Sequence, residues 1–310
     1  IKMRIKIPNI TFSKNKFLRD SILKEFPNTI FNEEGIRYEG SQLIDFIKDA
    51  DAIIVGLEDM NESILTNAPK LRMISKYGVG IDNIDLKSSN KYGIKVGWTK
   101  GLNKQSVAEI TLGLILGITR NLFFTSQEFK KRKWIKDGGF ELYGKSIGII
   151  GVGNIGGKLI ELLSPFNCKI YVNDIENKSH ILKEFNVIES SKDEIFKNCQ
   201  IITIHTPLTK LTQNLFNKQT FLKMRNDSIF INTARGEIVN QADLIWALKN
   251  SVIAAAAIDV YDTEPPTNEE LYEIENLICT PHIGGNSKEA VINMGLSAIK
   301  HLKDFKLKNQ

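Results

Sequence analysis

Cysteine is scarce in this 310-residue chain, and the three present (Cys168, Cys199 and Cys279) are scattered and odd in number. That excludes a disulfide framework and suits a reducing compartment, where a buried thiol behaves as a small hydrophobe. Histidine is sparse too. His180, His205, His282 and His301 show no metal-ligand spacing, so no metal is expected. A strong surplus of one charge is missing: Lys+Arg 41 against Asp+Glu 36 leaves +5. The one dense basic run, Lys130-Lys131-Arg132-Lys133, reads as a solvated helix end. Aromatics do not interleave with basic residues as a nucleic-acid platform requires, so no nucleic-acid partner is expected. No uninterrupted apolar stretch is long enough to span a bilayer, and no membrane partner is expected. Ile1 to Pro8 alternates basic and apolar residues, which reads as a strand and not as the apolar core of a signal peptide. The expected location is the cytoplasm. Internal repeats and a G-x-S-x-G elbow are also absent.

What is there is ample apolar material, 42% of residues, enough for two cores. The first hundred residues alternate strand and helix signals. Strands are expected at Arg4–Ile7, Ala52–Gly56, Arg72–Ser75 and Ile94–Val96, with helices around Phe17–Phe26 and Leu43–Ile47 between them. Ser106–Thr119 is apolar nearly all round and predicts a helix buried between domains or between subunits. The segment Phe129–Tyr143 is more polar and reads as running into a loop. A second alternating series follows, with strands at Ile147–Ile150, Lys169–Asn173, Ile201–His205, Ser228–Asn232, Ile253–Asp259 and Leu277–Thr280. Buried strands alternating with amphipathic helices predict an α/β fold with two doubly wound parallel-sheet domains. A last helix from about Lys288 to Phe305 lies beyond the second sheet and is expected to return to the first domain.

Gly151-Val152-Gly153-Asn154-Ile155-Gly156 fits G-x-G-x-x-G. The hexapeptide alone is weak, but here it follows an apolar strand and opens an amphipathic helix, the context the fingerprint needs. Gly151 permits the tight turn, Gly153 admits a pyrophosphate, and Gly156 lets helix and strand pack closely, with the anion held on free helix N–H groups. The next strand ends at Asp174, where a carboxylate accepts from a ribose 2′-OH and repels a 2′-phosphate. No Arg follows in Ile175-Glu176-Asn177, so NAD is expected over NADP. Gly139 to Ser146 also matches the P-loop pattern literally, but it precedes a strand where a P-loop must open a helix, so ATP binding there is rejected.

Ligands of an open parallel sheet bind beyond the carboxyl ends of its strands. Three such ends carry Asn232-Thr233-Ala234-Arg235-Gly236, then Asp259-Val260-Tyr261 leading to Glu264-Pro265, then Pro281-His282-Ile283-Gly284-Gly285. An arginine, a carboxylate and a histidine therefore converge where a dinucleotide would lie. The set suits hydride transfer to or from an alcohol carbon. His282 can move the hydroxyl proton, a carboxylate can orient and charge the imidazole, and Arg235 can bind a substrate carboxylate through two N–H bonds. Spacing alone leaves Asp259 and Glu264 competing as the histidine's partner. His205-Thr206-Pro207 ends another strand, where His205 either lines the adenosine side of the cleft or packs in the core.

These residues resemble the D-isomer-specific 2-hydroxyacid dehydrogenase family. Gly144–Gly156 looks like its cofactor signature, Asn232–Gly236 like its arginine motif, Asp259–Tyr261 with Glu264-Pro265 like its glutamate motif, and Thr280–Gly285 like its histidine motif. The similarity covers essentially the whole chain. It implies a Rossmann cofactor domain at 99–285 and a discontinuous flavodoxin-like substrate domain at 1–98 and 286–310. It implies NAD as cofactor, a small D-2-hydroxy or 2-keto acid as substrate, and a homodimer formed through the cofactor domain. Arg235 would bind the carboxylate and carbonyl, His282 would be the acid–base, Glu264 its partner, and Asp259 would face the nicotinamide carboxamide. Further cofactor contacts are expected at Val107, Asn154, Ile155, His205, Thr206, Pro207, Thr233, Ala234 and Gly285. Tyr77-Gly78-Val79 resembles the substrate loop, whose backbone N–H groups near Gly78 and Val79 would receive the carboxylate. The likeness is nearest to the phosphoglycerate dehydrogenase-like group, and the sequence stops at Gln310, so the regulatory domain of longer members is expected to be absent. Phosphoglycerate, glyoxylate or glycerate, and sugar-acid derivatives are all compatible. The rival readings are an NAD-sensing corepressor on the same fold and a formate- or phosphite-type dehydrogenase.

Overall fold

The computed structural model describes residues 3–308, the side chain of Leu182 excepted. Ile1 and Lys2, the start of the segment expected as a strand, lie outside the described residues, as do Asn309 and Gln310. The chain forms two compact units, one from Ile1–Asn103 with Lys288–Gln310 and the other from Lys104–Ser287. The divisions fall at 103/104 and 287/288, against expected boundaries of 98/99 and 285/286. A local tie keeps the stretch after residue 98 with the first unit: Thr99 Oγ1 lies 2.9 Å from His301 Nε2 and accepts from Ser297 Oγ at 2.9 Å.

Among its described residues the first unit holds five parallel strands: β1 (Ile5–Ile7), β2 (Ile30–Phe31), β3 (Ala52–Val55), β4 (Met73–Lys76) and β5 (Lys95–Gly97). Their order is β2-β1-β3-β4-β5, the flavodoxin-like order. Alternation along each strand fills both faces. Ile5, Ile7, Ala52, Ile54 and Met73 enter one cluster, while Ile53, Val55 and Ile74 enter the other. The helix Lys288–Lys308 closes the first of these faces with Ala290, Met294, Ala298, Ile299 and Leu302. Burying a side chain the size of Met294, Ile299 or Leu302 contributes about 1.5–3 kcal/mol.

The second unit holds seven parallel strands: β6 (Ser146–Ile150), β7 (Lys169–Asn173), β8 (Ile188–Glu189), β9 (Ile201–Ile204), β10 (Ile229–Asn232), β11 (Ala255–Ile258) and β12 (Leu277–Cys279). The order is β12-β11-β10-β9-β6-β7-β8. The chain thus winds outward one way from β6 through β7 and β8, then crosses to β9 and winds the other way. The crevice at β6 and β9 is the topological switch point of a doubly wound sheet. Faces alternate here as well: Ile147, Ile149, Ile201, Ile229 and Ile231 on one, Ile150, Ile202, Ile204 and Phe230 on the other.

The helix Lys104–Thr119 packs on this sheet through Ala108, Leu114 and Ile115, yet Leu112 and Leu116 are only half-buried and Gly113 is exposed. The basic run is the end of a helix, Leu122–Lys130, and Lys131 and Lys133 both pair with Glu128. The Gly139–Ser146 stretch runs into β6 and opens no helix.

Candidate active site

The glycine turn joins β6 directly to the helix Asn154–Leu163. Gly153 is the N-cap and no side chain caps that helix, so its first N–H groups are left for an anion. A β-carbon on Gly156 would sit 2.1 Å from the Gly151 carbonyl oxygen, so only glycine allows this helix to approach the strand. A β-carbon on Gly153 would meet nothing within 4 Å, which leaves the space above the turn open. Next to it lies a cleft of about 460 Å³ lined by Asn154, Lys158, Glu176, Lys178 and His180, among others. Asp174 folds its carboxylate back over the turn, accepting from Val152 N at 2.6 Å and Glu176 N at 2.8 Å. Thr206, after β9, has a buried hydroxyl with no protein partner, as an acceptor or donor awaiting a ligand would. The turn, the open cleft and this orphaned hydroxyl fit a dinucleotide.

His205, beside Thr206, is buried. It is 9% exposed, its Nε2 lies 2.9 Å from Thr203 Oγ1, and burial pushes its pKa down to about 3, so the ring is neutral. Its Nδ1, like the Thr206 hydroxyl, is buried without a protein partner.

The strand ends β10, β11 and β12 are neighbours in the sheet, so their loops emerge side by side. After β10, Asn232 organises the arginine loop: its Oδ1 accepts from Ala234 N at 3.0 Å and its Nδ2 donates to Arg235 O at 2.9 Å. Thr233 Oγ1 lies 2.9 Å from Thr111 Oγ1. After β11, Glu264 Oε2 meets His282 Nδ1 at 2.7 Å, while its Oε1 accepts from Tyr261 N at 3.2 Å. This settles the competition for the histidine in favour of Glu264.

Asp259 has another task. It is 1% exposed, and its carboxylate accepts from Thr280 Oγ1 at 2.6 Å, Ile283 N at 2.8 Å and Gly284 N at 2.7 Å. It anchors the histidine loop on both sides of His282. Its Oδ2 accepts only the Gly284 N–H among these bonds, which leaves acceptor capacity for the expected nicotinamide carboxamide. His282 itself adopts a left-handed backbone, φ 51, which the flanking anchors hold in place.

The electrostatics tie the three loops together. The Glu264 hydrogen bond raises the pKa of His282 above the ordinary histidine value, against the opposing effect of burial. Burial pushes Glu264 up, but the hydrogen bond and charge of His282 outweigh it, so its pKa lies below the ordinary glutamate value. The positive charge of Arg235 lowers both. Arg235, Glu264 and His282 therefore form one electrostatic group, able to hold an anion and exchange one proton.

In the first unit, Tyr77, Gly78 and Val79 follow β4 at its carboxyl end. The Tyr77 hydroxyl is buried without a protein partner, and burial raises its pKa to about 12, which keeps it a neutral phenol. Sequence reasoning left out Asn232 and Lys76 as contributors. Lys76 could have been noticed, because it is a charged residue ending the fully buried strand Met73–Lys76.

Comparison with known proteins agrees with this geometry. Residues 112–284 match the model of the family described as D-isomer specific 2-hydroxyacid dehydrogenase, NAD binding domain. The chain is 35% identical to glyoxylate reductase of Pyrococcus horikoshii, over 85% of this chain and 82% of that protein. It is 34% identical to D-3-phosphoglycerate dehydrogenase of Bacillus subtilis, over 82% of this chain but 49% of that longer protein. Its fold resembles the solved D-lactate dehydrogenase of Aquifex aeolicus in complex with NAD and lactic acid, with a TM-score of 0.87 and 24% identity, covering 98% of this chain and 96% of the other.

Proposed function

The chain belongs to the D-isomer specific 2-hydroxyacid dehydrogenase family and is an NAD-dependent oxidoreductase; from that premise we propose that it reduces a small 2-oxo acid of the glyoxylate class to the corresponding 2-hydroxy acid. The choice of glyoxylate over phosphoglycerate rests on glyoxylate reductases among the relatives matched along 82% to 87% of their own length, against 49% for the D-3-phosphoglycerate dehydrogenase of Bacillus subtilis. NAD supplies the hydride in its reduced form and would be held by the Gly151–Gly156 turn, Asp174 and Thr206. Arg235 engages the substrate carboxylate through its planar fork. His282, protonated beside Glu264, gives its proton to the carbonyl oxygen as C2 gains the hydride, and takes it back in the reverse direction. Glu264 holds the imidazole in one orientation and stabilises its charged form. The loop Tyr77–Val79 offers backbone N–H groups to the carboxylate.

The observation that carries this reading is the 2.7 Å bond between His282 Nδ1 and Glu264 Oε2, under the influence of the Arg235 charge. Exposed apolar residues along the same unit, Leu122, Phe129 and Trp134 at 56%, 61% and 76% exposure, favour a homodimer formed through that unit. The test is a panel of 2-keto acids (glyoxylate, hydroxypyruvate, pyruvate, phosphohydroxypyruvate) with NADH absorbance followed, in samples whose mass is read by light scattering. The expected result is glyoxylate turnover by a dimer. Turnover of none of the four would sink the assignment, phosphohydroxypyruvate alone would move it to the phosphorylated substrate, and a monomeric mass would remove the dimer.

A further inference from the structure

The first unit contains a buried polar hub directly beneath the loop that follows β4. Lys76, 5% exposed, donates from Nζ to the Gly56 carbonyl and, at 2.6 Å, to Asn83 Oδ1. Asn83 in turn donates from Nδ2 to Gly56 O at 3.1 Å and to Glu58 O at 2.6 Å. Glu58, 4% exposed, accepts from Gly56 N at 2.6 Å and from Asn9 Nδ2 at 3.2 Å. The Gly56 peptide groups are thus gripped from both sides, a carboxylate on the N–H and an ammonium on the carbonyl. A buried ammonium is retained only where such partners compensate its desolvation.

Lys76 and Asn83 are also the two residues that bracket the loop 77–82, so their bond closes it. The loop needs closing. Gly78 has φ 143, a backbone region that side-chain-bearing residues rarely enter, and a β-carbon there would lie 3.0 Å from Lys76 Cε. No helix stiffens the loop directly, since the next one, Leu86–Lys91, starts beyond Asn83. We propose that Lys76 and Asn83 form a clasp that fixes the backbone N–H groups of Gly78 and Val79 in their anion-accepting arrangement, making both positioning residues for the substrate carboxylate. This rests on the reading of Tyr77–Val79 as the substrate loop.

The experiment compares wild type, Lys76→Met, Asn83→Ala and the double variant. Three quantities are measured: KM and kcat for glyoxylate, Kd for NADH by fluorescence, and amide hydrogen exchange. Each single change is expected to raise KM by about tenfold, the usual scale for losing a buried hydrogen bond to a charged group, with kcat and NADH Kd little changed. Exchange is expected to quicken at the amides of 77–82 and to stay unchanged at Gly151–Gly156. The rise in KM of the double variant should be smaller than the product of the two single rises, because the Lys76–Asn83 bond is lost in both singles. Unchanged exchange in the loop overturns the clasp, as does a rise of KM that comes with an equal loss of kcat and of NADH affinity. Arg235→Lys serves as the separate control: if it leaves KM for glyoxylate unchanged, the reading of the site fails, while the exchange data still decide the clasp.

Discussion

The carboxyl edge of the second unit's sheet has two halves that work by different physics. On the β6–β7 side the functional atoms belong mostly to the backbone: the open N–H groups after Gly153, with Asp174 folded over the turn. On the β10–β12 side they are side chains, Arg235, Glu264 and His282, on loops held by neighbouring side chains such as Asn232 and Asp259. A backbone cradle is specified by glycine spacing and tolerates few changes of shape. A side-chain constellation is specified by charge and by hydrogen bonds that fix each group's direction. The first half suits holding a long polar molecule, and the second suits moving a proton.

If the division is real, changes in one half should leave the other's task intact. The largest effect is expected for His282→Ala: kcat falls by about 10²–10⁴-fold while the NADH Kd, read by fluorescence titration, stays near wild type. A parallel loss of NADH binding would erase the division.

Glu264→Gln should cost less, about tenfold to a hundredfold in kcat, because a hydrogen bond to a charged group is lost but the imidazole remains. Its sharper signature is in pH. Glu264 raises the His282 pKa, so in wild type the protonated imidazole needed for reduction survives above the ordinary histidine range, and reduction declines as pH rises through the raised value. Oxidation, which needs the neutral ring, rises there. Removing the carboxylate should move both limbs to lower pH, and limbs that stay in place would contradict the pairing. The same shift bears on folding: the His282 contribution is full below the ordinary histidine pKa and is lost as pH rises through the raised one. The Glu264 contribution is full above the ordinary glutamate pKa and is lost as pH falls through its lowered value.

The smallest effect belongs to the backbone half. Asp174→Ala should shrink the preference for NADH over NADPH by about tenfold, with kcat for the bound complex unaltered. An unchanged ratio of the two Kd values would mean that Asp174 serves only the turn.

The two halves were also unequally legible in the sequence. The glycine turn could be read with its strand and helix, because each glycine answers a steric demand of that one motif. The catalytic half could be read only as a set of strand ends: spacing could not choose between Asp259 and Glu264, since the choice depends on which way two carboxylates point. Asp259 turns toward the backbone N–H groups of Ile283 and Gly284, leaving Glu264 for the imidazole. Strands β2 and β8 escaped notice because each has two residues, too few for a period to show, and each carries an exposed isoleucine, Ile30 or Ile188. The helix Leu122–Lys130 was hidden by three consecutive apolar residues, Leu122-Phe123-Phe124, which break helical periodicity. Its phenylalanines are 41% and 42% exposed, so burial in this chain does not explain that pattern.

The anchoring of His282 by Asp259 has a consequence for anyone redesigning this scaffold. The left-handed turn that presents the imidazole is not a property of the peptide Pro281-His282-Ile283; it depends on an acid contributed by a different strand. Grafting the histidine segment alone onto another parallel sheet would import a ring without its aim. The transferable module is the pair of adjacent strand ends, moved together.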